Sequence, residues 1–132
     1  MIDCEVKVFN AVYPVAAPLC ANKKFVSTVI SKAPTAFPAA SLIEIDNRTV
    51  RKRQGSTPAE TYARVTYQLD VFATTKAKCR EVYGAVDDAM IGMNFSRTSG
   101  QYIDNADNTQ VFRYTARYVA EVDPDGNMYR AS

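Results

Sequence analysis

The chain contains no histidine and no tryptophan, and only five glycines and three cysteines among its 132 residues. Without histidine there is no side chain whose ordinary pKa lies near neutrality, no Ser–His or Cys–His nucleophile pair, and none of the commonest zinc ligand. Most hydrolase schemes are removed at once. The glycines form neither a phosphate-cradling loop nor a dinucleotide fingerprint, and Cys4, Cys20 and Cys79 show no Cys-x-x-Cys spacing. No catalytic residue, metal site or cofactor is therefore expected. An odd number of cysteines cannot close a complete internal disulfide set, so the three are read as reduced, small apolar residues. A surplus of one charge is missing too: sixteen Lys and Arg against fourteen Asp and Glu leave +2, far from a dedicated DNA-binding domain, so any DNA contact must be local. No apolar run approaches the roughly eighteen residues that cross a bilayer, and the Met1-Ile2-Asp3-Cys4-Glu5 start carries acid in place of a basic n-region. No membrane contact and a cytosol-like compartment are expected.

What is present suffices for one core: 47% hydrophobic residues in a chain of this length imply a single domain over 1–132. Ile2, Val6, Phe9, Val12 and Tyr13 recur at helical spacing, and Ala16 and Leu19 continue the stripe, with Pro14 expected to stop or kink the helix near Tyr13. Residues 25–30 and 42–46 read as strands. Residues 47–60, with Arg48, Arg51, Lys52 and Arg53 followed by Gly55, Ser56, Thr57 and Pro58, have almost nothing to bury and read as a long exposed basic loop. Ala63, Val65, Tyr67, Leu69, Val71 and Ala73 then alternate without a fault against more polar neighbours, which predicts a long strand with one buried face. Thr75 offers a capping oxygen for a helix over residues 76–93, whose Cys79, Val82, Tyr83, Val86, Met90 and Met93 keep a spacing of three and four. Residues 95–103 and 110–122 read as a hairpin turning at 104–108, with Phe112, Tyr114, Ala116, Tyr118, Ala120 and Val122 on one face. Pro124-Asp125-Gly126 makes a tight turn into a short edge strand over 127–130. The order implies an α+β domain: an antiparallel sheet packed on one face by two helices, with the basic loop exposed.

Acidic pairs occur, Glu44 with Asp46 and Asp104 with Asp107, but their local context is a solvated strand and a turn. Several longer stretches carry more: Phe37-Pro38-Ala39-Ala40-Ser41-Leu42-Ile43-Glu44-Ile45-Asp46-Asn47, Val65-Thr66-Tyr67-Gln68-Leu69-Asp70-Val71-Phe72-Ala73, the helix from Lys76, the Ile91-Gly92-Met93-Asn94-Phe95-Ser96-Arg97 turn, and the strand Arg113-Tyr114-Thr115-Ala116-Arg117-Tyr118. Together, over residues 37–122, they resemble the tail-terminator or tail-completion proteins of long-tailed bacteriophages. The resemblance implies a small α+β virion protein, made in the host cytoplasm, that forms a hexameric ring on the head-proximal end of the tail tube. Such a ring ends tube polymerisation and meets a head-side neck or connector protein. Another connector or tube component, or a small cytosolic adaptor using the basic loop, is the alternative.

Two features suit a ring independently. The second helix begins with Lys76, Lys78 and Arg80 and carries Asp87 and Asp88 later, so both charge sets oppose its macrodipole. Lys76, Arg80, Gly84, Asp87 and Ile91 are read as the face opposite the apolar stripe, basic at one end and acidic at the other. A head-to-tail seam through these residues and Asp88 would join unlike ends. The loop cations Arg48, Arg51, Lys52 and Arg53 are candidate contacts to the tail tube or a neighbour, or to DNA in the channel, although no aromatic residue interleaves with them to stack a base. Because no metal or catalytic chemistry is expected, treatment with a chelator should leave the melting temperature unchanged. A stoichiometric metal in purified protein would contradict that.

Overall fold

The computed structural model describes residues 2–21, 25–27, 37–49, 62–103 and 111–130. Helix α1 (Glu5–Ala16) runs into a 3-10 turn (Ala17–Leu19). Six strands follow, β1 (Phe25–Val26), β2 (Ala39–Thr49), β3 (Ala63–Ala73), β4 (Ser96–Ile103), β5 (Phe112–Val122) and β6 (Met128–Tyr129), with helix α2 (Lys76–Gly92) between β3 and β4. The sheet order is β1-β2-β3-β5-β4, and β6 extends the β4 side of β5. Both helices lie on one face. The sheet is mixed, not purely antiparallel as expected, because β1 pairs with β2 in parallel through Phe25 and Val26. Alternation does not encode strand direction, so the parallel pairing is not legible in the residues; residues 28–30 of the expected strand lie outside the described residues.

The centre of the fold is the β3–β5 pair, in continuous register from Ala63 opposite Val122 to Ala73 opposite Phe112. Every inward side chain of β3 is at most 2% exposed, as the alternation predicts, and Ala116, Tyr118, Ala120 and Val122 of β5 match them. Cys79, Val82, Val86 and Met90 of α2 close over this surface. At roughly 25 cal/mol per Å² of apolar area, this shared face is the main source of stability.

α1 departs from its expected stripe. Val8, Val12 and Ala16 are buried and Phe9 and Tyr13 pack beside them, whereas Val6 is 71% exposed. Phe9 stacks on Phe25 at 5.4 Å, so the helix is oriented by β1 as well as by the main core. Pro14 does not stop the helix, which continues to Ala16. Both Pro14 and Asn10, whose carbonyl loses its partner to the proline, are exposed, so water can replace the missing bond.

The start of α2 has the expected cap, while its end closes on a motif that the sequence reading does not single out. The Thr75 hydroxyl accepts from the Lys78 N–H at 3.1 Å. At the other end Asn94 takes φ 70, its N–H donates to the Ile91 carbonyl, and the Phe95 N–H donates to the Met90 carbonyl at 3.0 Å. This is a Schellman closure, with Asn at the left-handed position and its usual apolar partner contact supplied by Met90 and Phe95, both fully buried. Met93 thus caps the helix instead of ending inside it.

β2 is longer than expected. Asn47, Arg48 and Thr49 pair with Val65, Arg64 and Ala63, so the segment read as a loop from residue 47 begins as strand. Backbone pairing with β3 extends β2 regardless of its polar side chains. The rest of that loop, including Arg51, Lys52 and Arg53, and the turn at 104–108 lie outside the described residues. The Pro124–Gly126 turn and its returning strand match the expectation, with Gly126 at φ 84 and Met128 and Tyr129 paired to Val122 and Glu121.

Two glycines give opposite outcomes on substitution. A Cβ at Gly84 in α2 meets nothing within 4 Å, so Gly84→Ala should raise stability by about 1 kcal/mol. A Cβ at Gly100 in β4 would run into the Tyr114 hydroxyl, and that ring is stacked on Tyr83 at 3.9 Å, so Gly100→Ala should cost about 1–3 kcal/mol. Denaturant melts of the two variants check both signs.

Candidate interface surfaces

The strip of α2 that the sequence suggested as a seam turns toward β4. It flanks the core instead of facing away from it. Lys76 Nζ sits over the rings of Tyr102 on β4 (5.3 Å) and Phe112 on β5 (5.9 Å). Arg80 bonds the hydroxyl groups of Tyr83 and Tyr102, which hold its guanidinium above its usual pKa. Tyr83, Tyr102 and Tyr114 form one aromatic cluster, Tyr83 stacked on Tyr114 and Tyr102 edge-on to both. The basic end of α2 is therefore seated on aromatic faces, an arrangement that favours cations.

Asp87 is the largest departure. Its Oδ1 accepts from the Tyr118 hydroxyl at 2.8 Å and from Arg97 Nη1 at 3.1 Å, and its side chain is 18% exposed. Burial, followed by the Asp87 charge and hydrogen bond, pushes the Tyr118 hydroxyl far above the usual tyrosine range, so it remains a donor. Asp87 ties α2 to β5 and β4 within the subunit. Asp88, one residue on, is exposed, as are Lys76, Arg80 and Ile91, while Gly84 is half-buried. The signal for Asp87 was in the sequence: it lies four residues after Tyr83 and three before Met90, on the flank of the apolar stripe.

The Phe95–Arg97 turn has a physical account. Phe95 inserts into the core edge-on to Tyr67 at 5.6 Å, and Arg97, two residues later on the same side, reaches Asp87. Tyr67 in turn shares a contact with the Cys4 Sγ at 3.5 Å. Burial pushes the thiols of Cys20 and Cys79 up to about 11, and raises that of Cys4 as well; all three are free and buried.

The sheet face away from the helices carries a polar ladder. Asp70 receives Arg113 Nη2 at 3.0 Å, the Thr115 hydroxyl and Gln68 Nε2 at 3.1 Å, and Gln68 receives Arg117 Nε at 3.3 Å. The carboxylate is buried while Arg117 and Arg64 are exposed, so what this face shows to its surroundings is mainly cationic. Of the loop cations, Arg48 is described: it is exposed and pairs with Asp46 at 2.6 Å. A shallow cavity of about 300 Å³ opens among Lys7, Ala11, Met93, Asn94, Asn127 and Met128. Among the described residues no group of three metal-ligating side chains comes together, and no helix is long and apolar enough to cross a membrane.

The intramolecular role of Asp87 separates it from Asp88. Asp87→Lys removes the acceptor of a buried tyrosine hydroxyl and sets two cations together, so it should lower subunit stability by about 1–3 kcal/mol. Asp88→Lys should leave stability within about 0.5 kcal/mol. Thermal melts of the two single variants distinguish them.

No curated protein sequence matches the chain. Among solved structures it superimposes on a chain from the virion of a native gene transfer agent particle, with a TM-score of 0.64, 18% identity, and coverage of 88% of this chain and 91% of that one, which shows a shared fold. A family model described as tail completion protein gp17 matches residues 20–132, and the chain belongs to that family.

Proposed function

We propose that the chain is a non-enzymatic structural subunit of a phage or phage-like virion, one that forms a ring, most simply a hexamer, at the head-proximal end of the tail tube. The ring ends tube growth and presents a surface to a head-side neck protein. The observation that carries this reading is the tail-completion family match over residues 20–132, supported by the fold shared with a chain of a gene transfer agent virion. The chemistry agrees: the side chains that draw attention in the structure are engaged in packing, capping and cross-strand bonds.

Within this reading Arg48, Arg51, Lys52 and Arg53 contact the tail tube or a neighbouring subunit, and DNA in the channel meets cations without sequence preference. The flank of α2 that carries Lys76, Arg80, Gly84 and Asp88 belongs to the subunit interface, with Asp87 holding the helix in place beneath it. The solution mass tests the ring: it should correspond to a closed oligomer, either alone or once tail tubes are added, and a persistent monomer in both conditions would sink the proposal. Neutralising Arg51, Lys52 and Arg53 to Gln should reduce joining of tails to heads while the melting temperature stays nearly unchanged, because single charges in a polar segment with nothing to bury contribute little to folding. Normal yields of infectious particles from that triple variant would remove the loop from the docking surface.

A further inference from the structure

The two rims of the sheet are unlike each other and fit each other. β4 is one rim: its residues 97–102 are all exposed, and it contains neither lysine nor proline, the side chains that ordinarily blunt a free strand edge. One bulge between Arg97 and Ser99 is its irregularity. The other rim is β2. Its partner β1 covers Ala40 and Ser41, and among the described residues no strand pairs with residues 43–48 on that side. Among the described residues, both rims offer backbone donors and acceptors that no strand pairs.

Strand direction decides how copies can meet. β2 and β5 run one way, β3 and β4 the other. Rotating a second copy about an axis along the strands brings its β2 beside the first copy's β4 in antiparallel sense, with the helix-bearing face on the same side in both. One register line then gains meaning. Arg97 on β4 lies opposite Tyr118, Tyr118 opposite Tyr67, and Tyr67 opposite Glu44 on β2. The line starts on a cation at one rim and finishes on an acid at the other, both on the helix-bearing face.

We propose that neighbouring subunits of the ring join rim to rim, β4 of one chain adding to β2 of a second copy, with Arg97 brought against Glu44 across the seam. The proposal rests on the ring reading and specifies its interface. Charge supports this occupant. Glu44 is crowded: burial first, then the negative charges of Glu5, Asp3 and Asp46, raise its carboxyl above the ordinary range despite the Asn47 amide at 3.4 Å. A cation delivered from a neighbour relieves that crowding. Arg97 reaches Asp87 through Nη1 and is 45% exposed, and a guanidinium has donors for a second carboxylate. Self-pairing of two β4 strands would bring no acid to Arg97, because β4 itself carries none. The interface is heterologous, so it propagates in one direction and closes when the rotation allows. The α2 flank with Lys76 and Arg80 lies on the β4 side, so the helix layer is drawn into the same seam.

Cysteine cross-linking tests the arrangement. Ser96, Val119, Thr66 and Asp46 form a second register line at the two rims, so Ser96 of one copy and Asp46 of the next come to the same level. The double variant Ser96→Cys, Asp46→Cys, oxidised gently, should give a ladder of covalent multimers on a denaturing gel, and each single variant should give none. The native thiols are buried and do not compete. Reduced double variant that melts like the parent shows that the fold is kept. Arg97→Glu should abolish the ring peak in native mass spectra, and adding Glu44→Arg should restore it. A wild-type ring whose double-cysteine variant forms no ladder places the seam elsewhere and overturns the proposal with the ring intact. Covalent dimers from Ser96→Cys alone bring the starts of two β4 strands together in place of the β4–β2 seam and overturn it too. A wild-type chain that remains monomeric even with tail tubes added removes the ring and the seam together.

Discussion

The reversal from α2 into β4 governs much of the structure. Met90, Asn94 and Phe95 close the helix with two backbone bonds, and the left-handed residue between them fixes the angle at which the chain leaves. That angle brings Arg97 beneath Asp87, and Asp87 in turn takes the Tyr118 hydroxyl from the neighbouring strand. Three elements are thereby locked by one carboxylate whose position depends on the preceding turn. The β4 rim, which no other strand among the described residues pairs on its far side, has its level along the sheet set by the same contact.

Much of this was legible because the strongest periodicities lie where one face is buried. Six alternating residues of β3 and the three-and-four spacing of α2 describe surfaces that meet each other, and the N-terminal cap can be read from Thr75. The parts that failed share a cause. α1 has apolar residues on more than one side, and Val8, not Val6, turns inward as the helix packs against α2 while Phe9 stacks on Phe25. β2 runs on through polar Asn47, Arg48 and Thr49 because β3 supplies backbone partners, a constraint invisible in the side chains themselves. Asp87 was assigned to an outer face because its charge outweighed its position; helical geometry placed it on the margin of the core.

The polar ladder on the open face of the sheet follows a related rule. Asp70 is buried without a helix above it because Arg113, Thr115 and Gln68 converge on it from the same strand and the next. A carboxylate with several donors tolerates low exposure that a solitary one would not. Arg64 and Arg117, exposed cations of this face, stand on its two central strands.

The burial of the three thiols has a bearing on durability. With Cys20 and Cys79 titrating near 11, the thiolate at neutral pH amounts to on the order of one molecule in ten thousand, and Cys4 is shielded in the same sense. Buried thiols held in the protonated form are poor nucleophiles, so disulfides and sulfenic acids form slowly at these positions when a particle leaves a reducing cell for an oxidising exterior.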